Sequence, residues 1–316
     1  MIYTTNMTDF DFNNISNVNE YLDTKLYKLL GKPKTVSIKS ILVLSGGGIK
    51  GLAHIGGLKA MKELHLLKHI KTIVGTSIGA LFGYLHTIGY TPEELYEFIM
   101  TFDLKKLKSL DPAGFFNDFG LDNGDRFIMV LSKMTETKGF NKNITFKELF
   151  KKTGLTLIVS ASCMNDKQAY YFSHKNNPDM SVILAVRMST AFPIYFMPVL
   201  YDGKMFLDGG CIDNYPVQLF YDNINAVIGF YLTETREYIK DIKNAEEFLI
   251  NLVQCLFEGV TCNSVKGFEK ITVAIKIPNI NALDLDLTDL KKSEIYSHGY
   301  NAVIKWFSEN NTFVTR

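Results

Sequence analysis

Two short apolar runs, Ile41–Leu44 and Ile70–Val74, each stop at a glycine-rich turn and give way to a helix-patterned stretch. The first turn reads Ser45-Gly46-Gly47-Gly48-Ile49-Lys50-Gly51 and opens onto Leu52, Ala53, Ile55, Leu58, Ala60, Met61 and Leu64. The second reads Gly75-Thr76-Ser77-Ile78-Gly79 and leads into Ala80, Leu81, Phe82, Tyr84, Leu85 and Ile88 with no charged side chain between them. A helix that is apolar all round is buried, and short strands that are apolar throughout belong to a parallel sheet covered on both faces. Strand, turn and helix repeated in this order require right-handed crossovers. The fold expected is therefore α/β, a three-layer α/β/α sandwich with a mostly parallel central sheet.

The rest of the chain extends this pattern. Thr91-Pro92-Glu93-Glu94 starts one helix, and Thr145-x-x-Glu148, closed by Gly154, brackets another. Leu155–Ala161, Ala169–Ser173 and Ala226–Leu232 read as strands. Asp202-Gly203, between Val199-Leu200-Tyr201 and Lys204-Met205-Phe206-Leu207, reads as a hairpin turn that delivers Asp208 at a strand end. Asn244–Val260, Ile271–Ile277 and Leu290–Phe307 read as helix, strand and closing helix. Residues 110–125 mix Gly, Asp and Asn with aromatics and read as a loop, a flap whose Phe115, Phe116 and Phe119 would touch lipid. Residues 1–36, polar and Asn-rich with an amphipathic stretch from Tyr21 to Leu30, read as an N-terminal extension to a single domain over 37–316.

Charge and cysteine usage narrow the classes of function. The net charge is +1, and no block of basic residues offers a nucleic-acid footprint. Cys163, Cys211, Cys255 and Cys262 lack any Cys-x-x-Cys spacing and read as free thiols. No apolar run has the length of a signal peptide or a membrane span, so the expectation is a cytoplasmic protein whose membrane contact is peripheral. Asp284, Asp286 and Asp289 lack the glycine turn and terminal glutamate of a calcium loop and read as the approach to the last helix, capped near Thr288 or Asp289.

Gly46-x-Gly48-x-x-Gly51 satisfies a dinucleotide fingerprint and half of a phosphate loop, but both fail at the neighbouring positions. Leu52 and Ala53 stand where a phosphate loop needs Lys and Ser or Thr, and Gly75 stands where a dinucleotide site needs an acid. Backbone N–H groups at a glycine-lined helix start can instead receive a developing negative charge, as an oxyanion hole does. Gly75-x-Ser77-x-Gly79 has the spacing of a nucleophile elbow, although a serine there can also simply cap the next helix. Both turns open at the carboxyl ends of neighbouring strands, where α/β sheets bind ligands.

A serine nucleophile needs a base. His298, inside the closing helix, and His54, in the first helix, are poorly placed histidines, and His54 reads as structural. Asp208-Gly209-Gly210 offers a carboxylate on a turn that permits close approach. Arg187, one of four arginines beside thirty lysines, reads either as a phosphate or cleft-ordering group or as a surface charge.

Gly46-Gly47-Gly48-Ile49-Lys50-Gly51, Gly75-Thr76-Ser77-Ile78-Gly79 and Asp208-Gly209-Gly210, in that order, resemble the patatin-like phospholipases. The block from Arg187 through Ser189, Ala191 and Pro193 to Phe196 adds to the resemblance, which spans roughly residues 38–232. It implies an ester hydrolase with no metal or cofactor, with Ser77 as nucleophile, Asp208 as general base and the Gly46, Gly47 and Gly48 amides around the oxyanion. Lys50, Gly51, Gly75, Gly79, Gly209, Gly210 and Arg187 are its supporting residues. It further implies phospholipid hydrolysis of the A type at a membrane surface. An acyl transfer to an alcohol, a neutral glyceride lipase and a non-catalytic lipid binder remain open alternatives.

Overall fold

In a computed structural model that describes residues 38–107, 109, 115–233, 241–278 and 280–310, the first apolar run is strand β1 (Ile41–Leu44), buried at every position. It feeds a 3-10 turn, Gly48–Gly51, and helix α1 (Leu52–Glu63). The unit then repeats as β2 (Thr72–Thr76) and α2 (Ile78–Thr87). Residues 38–304 form one compact unit, and Lys305 onward belongs to another. The expected N-terminal extension and its Tyr21–Leu30 stretch lie outside the described residues.

The remaining strands of the main sheet are β4 (Thr156–Cys163), β5 (Gln168–Ser173), β7 (Val199–Tyr201), β8 (Lys204–Asp208), β9 (Val227–Thr233) and β10 (Thr272–Lys276). Their order is β10-β9-β1-β2-β4-β8-β7, with β5 also paired to β4. From β10 through β4 every pairing is parallel, whereas β5 and β8 run antiparallel to β4, and β7 to β8. With helices on both faces this is the expected three-layer α/β/α arrangement. The β7–β8 hairpin turns at Asp202 (φ 50) and Gly203 (φ 69), the positive-φ pair that matches strand twist.

Helix starts follow the capping chemistry. Thr91 caps α3 (Pro92–Thr101) and Thr145 caps α6 (Phe146–Thr153), each through a closed capping box, and Gly154 ends α6 in the left-handed conformation. The closing helix α9 begins at Asp289, with Thr288 Oγ1 accepting from the Lys291 amide.

The loop reading of residues 110–125 is corrected over 115–125, and residues 110–114 lie outside the described residues. Phe115–Asp118 is a short helix, α4, and Gly120–Asp122 is strand β3, paired in parallel with β6 (Ile194–Phe196). Asp122 is buried and accepts from the backbone amides of Ser109 and Gly124, which fixes the chain before α5 (Asp125–Thr137) starts. This is a side-chain effect that Gly and Asn content masks in sequence. The side chains of Phe115 and Phe116 lie outside the described residues; Phe119 is exposed.

Candidate active site

Ser77 sits between β2 and α2 at φ 54 and ψ −123, a region that non-glycine residues rarely occupy and that costs on the order of 1–3 kcal/mol. Gly75 and Gly79 make the bend possible. A side chain on Gly75 would overlap the Gly79 and Ala80 backbone, and one on Gly79 would overlap the carbonyls that end β1. The strained backbone is held by a bond from the Ser77 amide to Ser189 Oγ, at 2.8 Å. Ser189 ends α7 (Val182–Ser189) and carried no role in the sequence reading; its place in the Arg187-x-Ser189 block was the available signal.

The alternative in which Ser77 caps α2 is excluded by geometry. Its side chain makes no cap bond; instead Ser77 Oγ donates to Asp208 Oδ2 at 2.6 Å. The sheet register explains how residues so distant in sequence meet. β2 pairs with β4 up to Thr76–Ser160, and β8 pairs with β4 beginning at Ala161–Asp208. Because β5 pairs with β4 from Ile158 to Cys163 and fills its other edge, β2 and β8 share one edge of β4 and meet end to end.

Asp208 is 2% exposed, and its Oδ1 accepts from the Gly210 amide at 2.8 Å. Burial raises its pKa to about 7, against the opposing pull of the Ser77 and Gly210 hydrogen bonds. Close packing surrounds the turn: a side chain on Gly209 would press on the Ser160 carbonyl, and one on Gly210 on the Phe257 ring. Asp213 secures it further, since its carbonyl accepts from Thr76 Oγ1 at 3.2 Å and its carboxylate from the Tyr171 hydroxyl.

Gly46, Gly47 and Gly48 line the same cleft as Ser77 and Asp208, but their amides are not equivalent. The Gly46 amide donates to the Asn214 carbonyl at 3.2 Å, so it differs from the expected oxyanion donor. What the lack of a side chain provides there is proximity, because a Cβ on Gly46 would stand 3.2 Å from Ser77 Cβ. Gly47 and Gly48, at the open start of the 3-10 turn, donate to no group among the described residues. Lys50 is buried beside the cleft, and Gly51 lets the turn lie against Ile78.

His54 is fully buried and neutral: its Nε2 donates to the Ser45 carbonyl at 2.9 Å, and burial lowers its pKa to about 4. It braces the glycine turn from behind. His298 is exposed on α9 and does not line the cleft.

Arg187 is buried, which removes the surface-charge reading. Its Nη2 donates to the carbonyls of Asn123 (3.1 Å) and Met197 (2.9 Å), and its guanidinium lies 5.0 Å from the Phe196 ring. Burial lowers its pKa to about 10, partly offset by Asp122 and Asp125. Arg187 is thus a staple between the β3–α5 junction and the end of β6, behind the cleft wall that Tyr195 and Phe196 form. Arg187→Met should lower stability by roughly 2 kcal/mol or more, since each charge-assisted bond contributes about 1.5–3 kcal/mol and the two carbonyls lose their partner. A urea midpoint shifted at constant m-value measures it.

The cleft has a volume of about 600 Å³. One wall is apolar, made of Leu81, Phe82 and Leu85 from α2, Phe98 and Ile99 from α3, and Phe127, Leu131 and Met134 from α5, while Asn251, Gln254 and Glu258 line another part. The apolar wall of such a chamber has room for a long hydrocarbon group.

The signature of the patatin-like phospholipase family matches residues 42–221. The probable lipid hydrolase 463L of Invertebrate iridescent virus 6 is 33% identical over 199 residues, covering 60% of this chain and 67% of that protein. Uncharacterized protein R571 of Acanthamoeba polyphaga mimivirus is 30% identical over 283 residues, covering 83% and 92%. The crystal structure of VipD from Legionella pneumophila shares the fold, with a TM-score of 0.58 at 15% identity over 90% of this chain and 73% of that one. With the family signature spanning more than half its length, the chain belongs to the patatin-like phospholipases, a family whose activity is lipid hydrolysis.

Proposed function

We propose that this chain is a phospholipase of the A type, a serine ester hydrolase working through Ser77 and Asp208. The observation that carries the reading is the 2.6 Å bond from Ser77 Oγ to the buried Asp208 carboxylate at the edge of an apolar cleft. Asp208 takes the hydroxyl proton as Ser77 Oγ bonds to the ester carbonyl carbon, and the Gly47 and Gly48 amides hold the oxyanion. The C–O bond to the lysolipid then breaks, and its oxygen leaves with the proton from Asp208. Water attacks the acyl-serine carbonyl carbon and gives its proton to Asp208; the bond from that carbon to Ser77 Oγ then breaks, Oγ takes the proton back from Asp208, and the fatty acid leaves.

Hydrolysis of a phosphatidylcholine with distinguishable acyl chains, in the presence of chelator, tests this. Free fatty acid and lysolipid in equal amounts are expected, and the chain released defines the position. Acyl chains recovered on an added alcohol instead of water would replace hydrolase with transferase; no acyl release from phospholipid would exclude phospholipid as substrate.

Because Asp208 must be ionised to act as base, kcat/KM should rise about tenfold per pH unit below about 7 and level off above it. A profile flat from pH 5 to 8 would remove Asp208 as the base.

A further inference from the structure

Helix α8 (Ala245–Ser264) turns several polar side chains, together with Phe257, toward the protein. Asn251, Gln254, Glu258 and Thr261 line the cleft. Hydrogen bonds fix this orientation: Asn214 Nδ2 donates to Thr261 Oγ1 and the Tyr231 hydroxyl to the Thr261 carbonyl, both at 2.9 Å. At about 100° per residue, Phe248, Leu249, Leu252 and Leu256 fall within one arc of roughly 100° on the outward side. That arc also holds Gly259 and Asn263 and no charged residue. Phe248 is 54% exposed, Leu252 45% and Leu256 62%. Leucines and a phenylalanine set on one exposed face of a helix whose other residues line a cleft form a surface awaiting contact.

We propose that this outward face of α8 seats the protein on a lipid bilayer, lying in the plane of the interface with Phe248, Leu252 and Leu256 among the acyl chains. The proposal rests on the reading of the cleft as a lipid-ester site, because the stripe borders it: Cys255, next to Phe248 on the helical wheel, is exposed and also lines the cleft. A lipid drawn from the bilayer would therefore pass from apolar surface into apolar chamber. A second copy of the chain is a poorer fit, since a stable dimer uses about 20–30 residues a side and the stripe offers four large ones. No helix among the described residues is long and apolar enough to cross a membrane, so attachment through α8 is interfacial. With a net charge of +1 the attachment depends on insertion, which makes it insensitive to salt.

The test uses the full chain carrying Ser77→Ala, which leaves vesicles intact, sedimented with neutral phosphatidylcholine vesicles. Adding Phe248→Ser, Leu252→Ser and Leu256→Ser should lower the bound fraction's partition at least about tenfold. With Ser77 restored, the same three changes should leave hydrolysis of a soluble short-chain ester within about twofold, which shows that the fold survives. Leu200→Ser, exposed on β7, should change neither. Vesicle binding unchanged by the three substitutions, or absent before them, overturns the proposal, as does a dimer that they convert to monomer at unchanged partition. Vesicle binding that requires the stripe in a chain that hydrolyses no ester would support the surface while refuting the hydrolase.

Discussion

Asp208→Asn should abolish acyl hydrolysis, lowering kcat by roughly ten-thousand-fold, and Ser77→Ala should do at least as much. Asparagine keeps an acceptor for the Gly210 amide and the shape of the turn, so what it removes is the ability to take the Ser77 proton. The two substitutions act on one proton transfer, and the double variant should therefore be little worse than either alone. Stability moves the other way. Burial raises Asp208 to about 7 from an ordinary value of 3.8. Its contribution to folding is fully present below the unfolded value and is lost as pH rises through about 7, where the folded protein must hold a buried carboxylate. Asp208→Asn should then melt higher than the parent at pH 8, with the difference shrinking toward pH 5. A variant that is inactive and also less stable at pH 8 would assign Asp208 a structural role.

Gly47→Val should reduce kcat by roughly a hundred- to a thousand-fold, the effect of about 2.7–4 kcal/mol that loss of one oxyanion donor carries. A Cβ at this position would lie 2.7 Å from Leu232 Cδ1, and a flexible leucine end can yield to alanine. Valine adds two methyls at a residue that lines the cleft, where they would obstruct a carbonyl oxygen's approach. The signature is a fall in kcat with KM little changed, because the contact strengthens as charge develops. A KM effect alone would place Gly47 in substrate binding only. Gly46 provides the comparison: its amide is already bonded to Asn214, so Gly46→Ala acts by crowding Ser77 and disturbing the turn.

Much of this was written locally. Apolar runs ending in glycine turns announced β1 and β2, an N-cap threonine followed by proline and acids marked α3, a capping box marked α6, and Asp202-Gly203 marked the hairpin, because each depends on neighbours within a few residues. Elements held by distant partners were not legible. β3 and β6 are three residues each and exist as strands by pairing with one another across more than seventy positions. Arg187 offered a charge with two readings, and only the carbonyls of Asn123 and Met197 decided between them.

The sequence by itself determined the α/β class and the two glycine turns, since backbone conformation at a strand-to-helix bend is set by which side chains are absent; the pairing of Ser77 with Asp208 was implied by the family resemblance. The tertiary structure decided that β8 continues the edge of β4 where β2 stops, which alone brings Asp208 to Ser77. It also decided that Gly46 gives its amide to Asn214, and that α8 turns its leucines outward. Each of these is a choice of partner made across the chain, and a helical or strand period carries no information about which distant surface it will face.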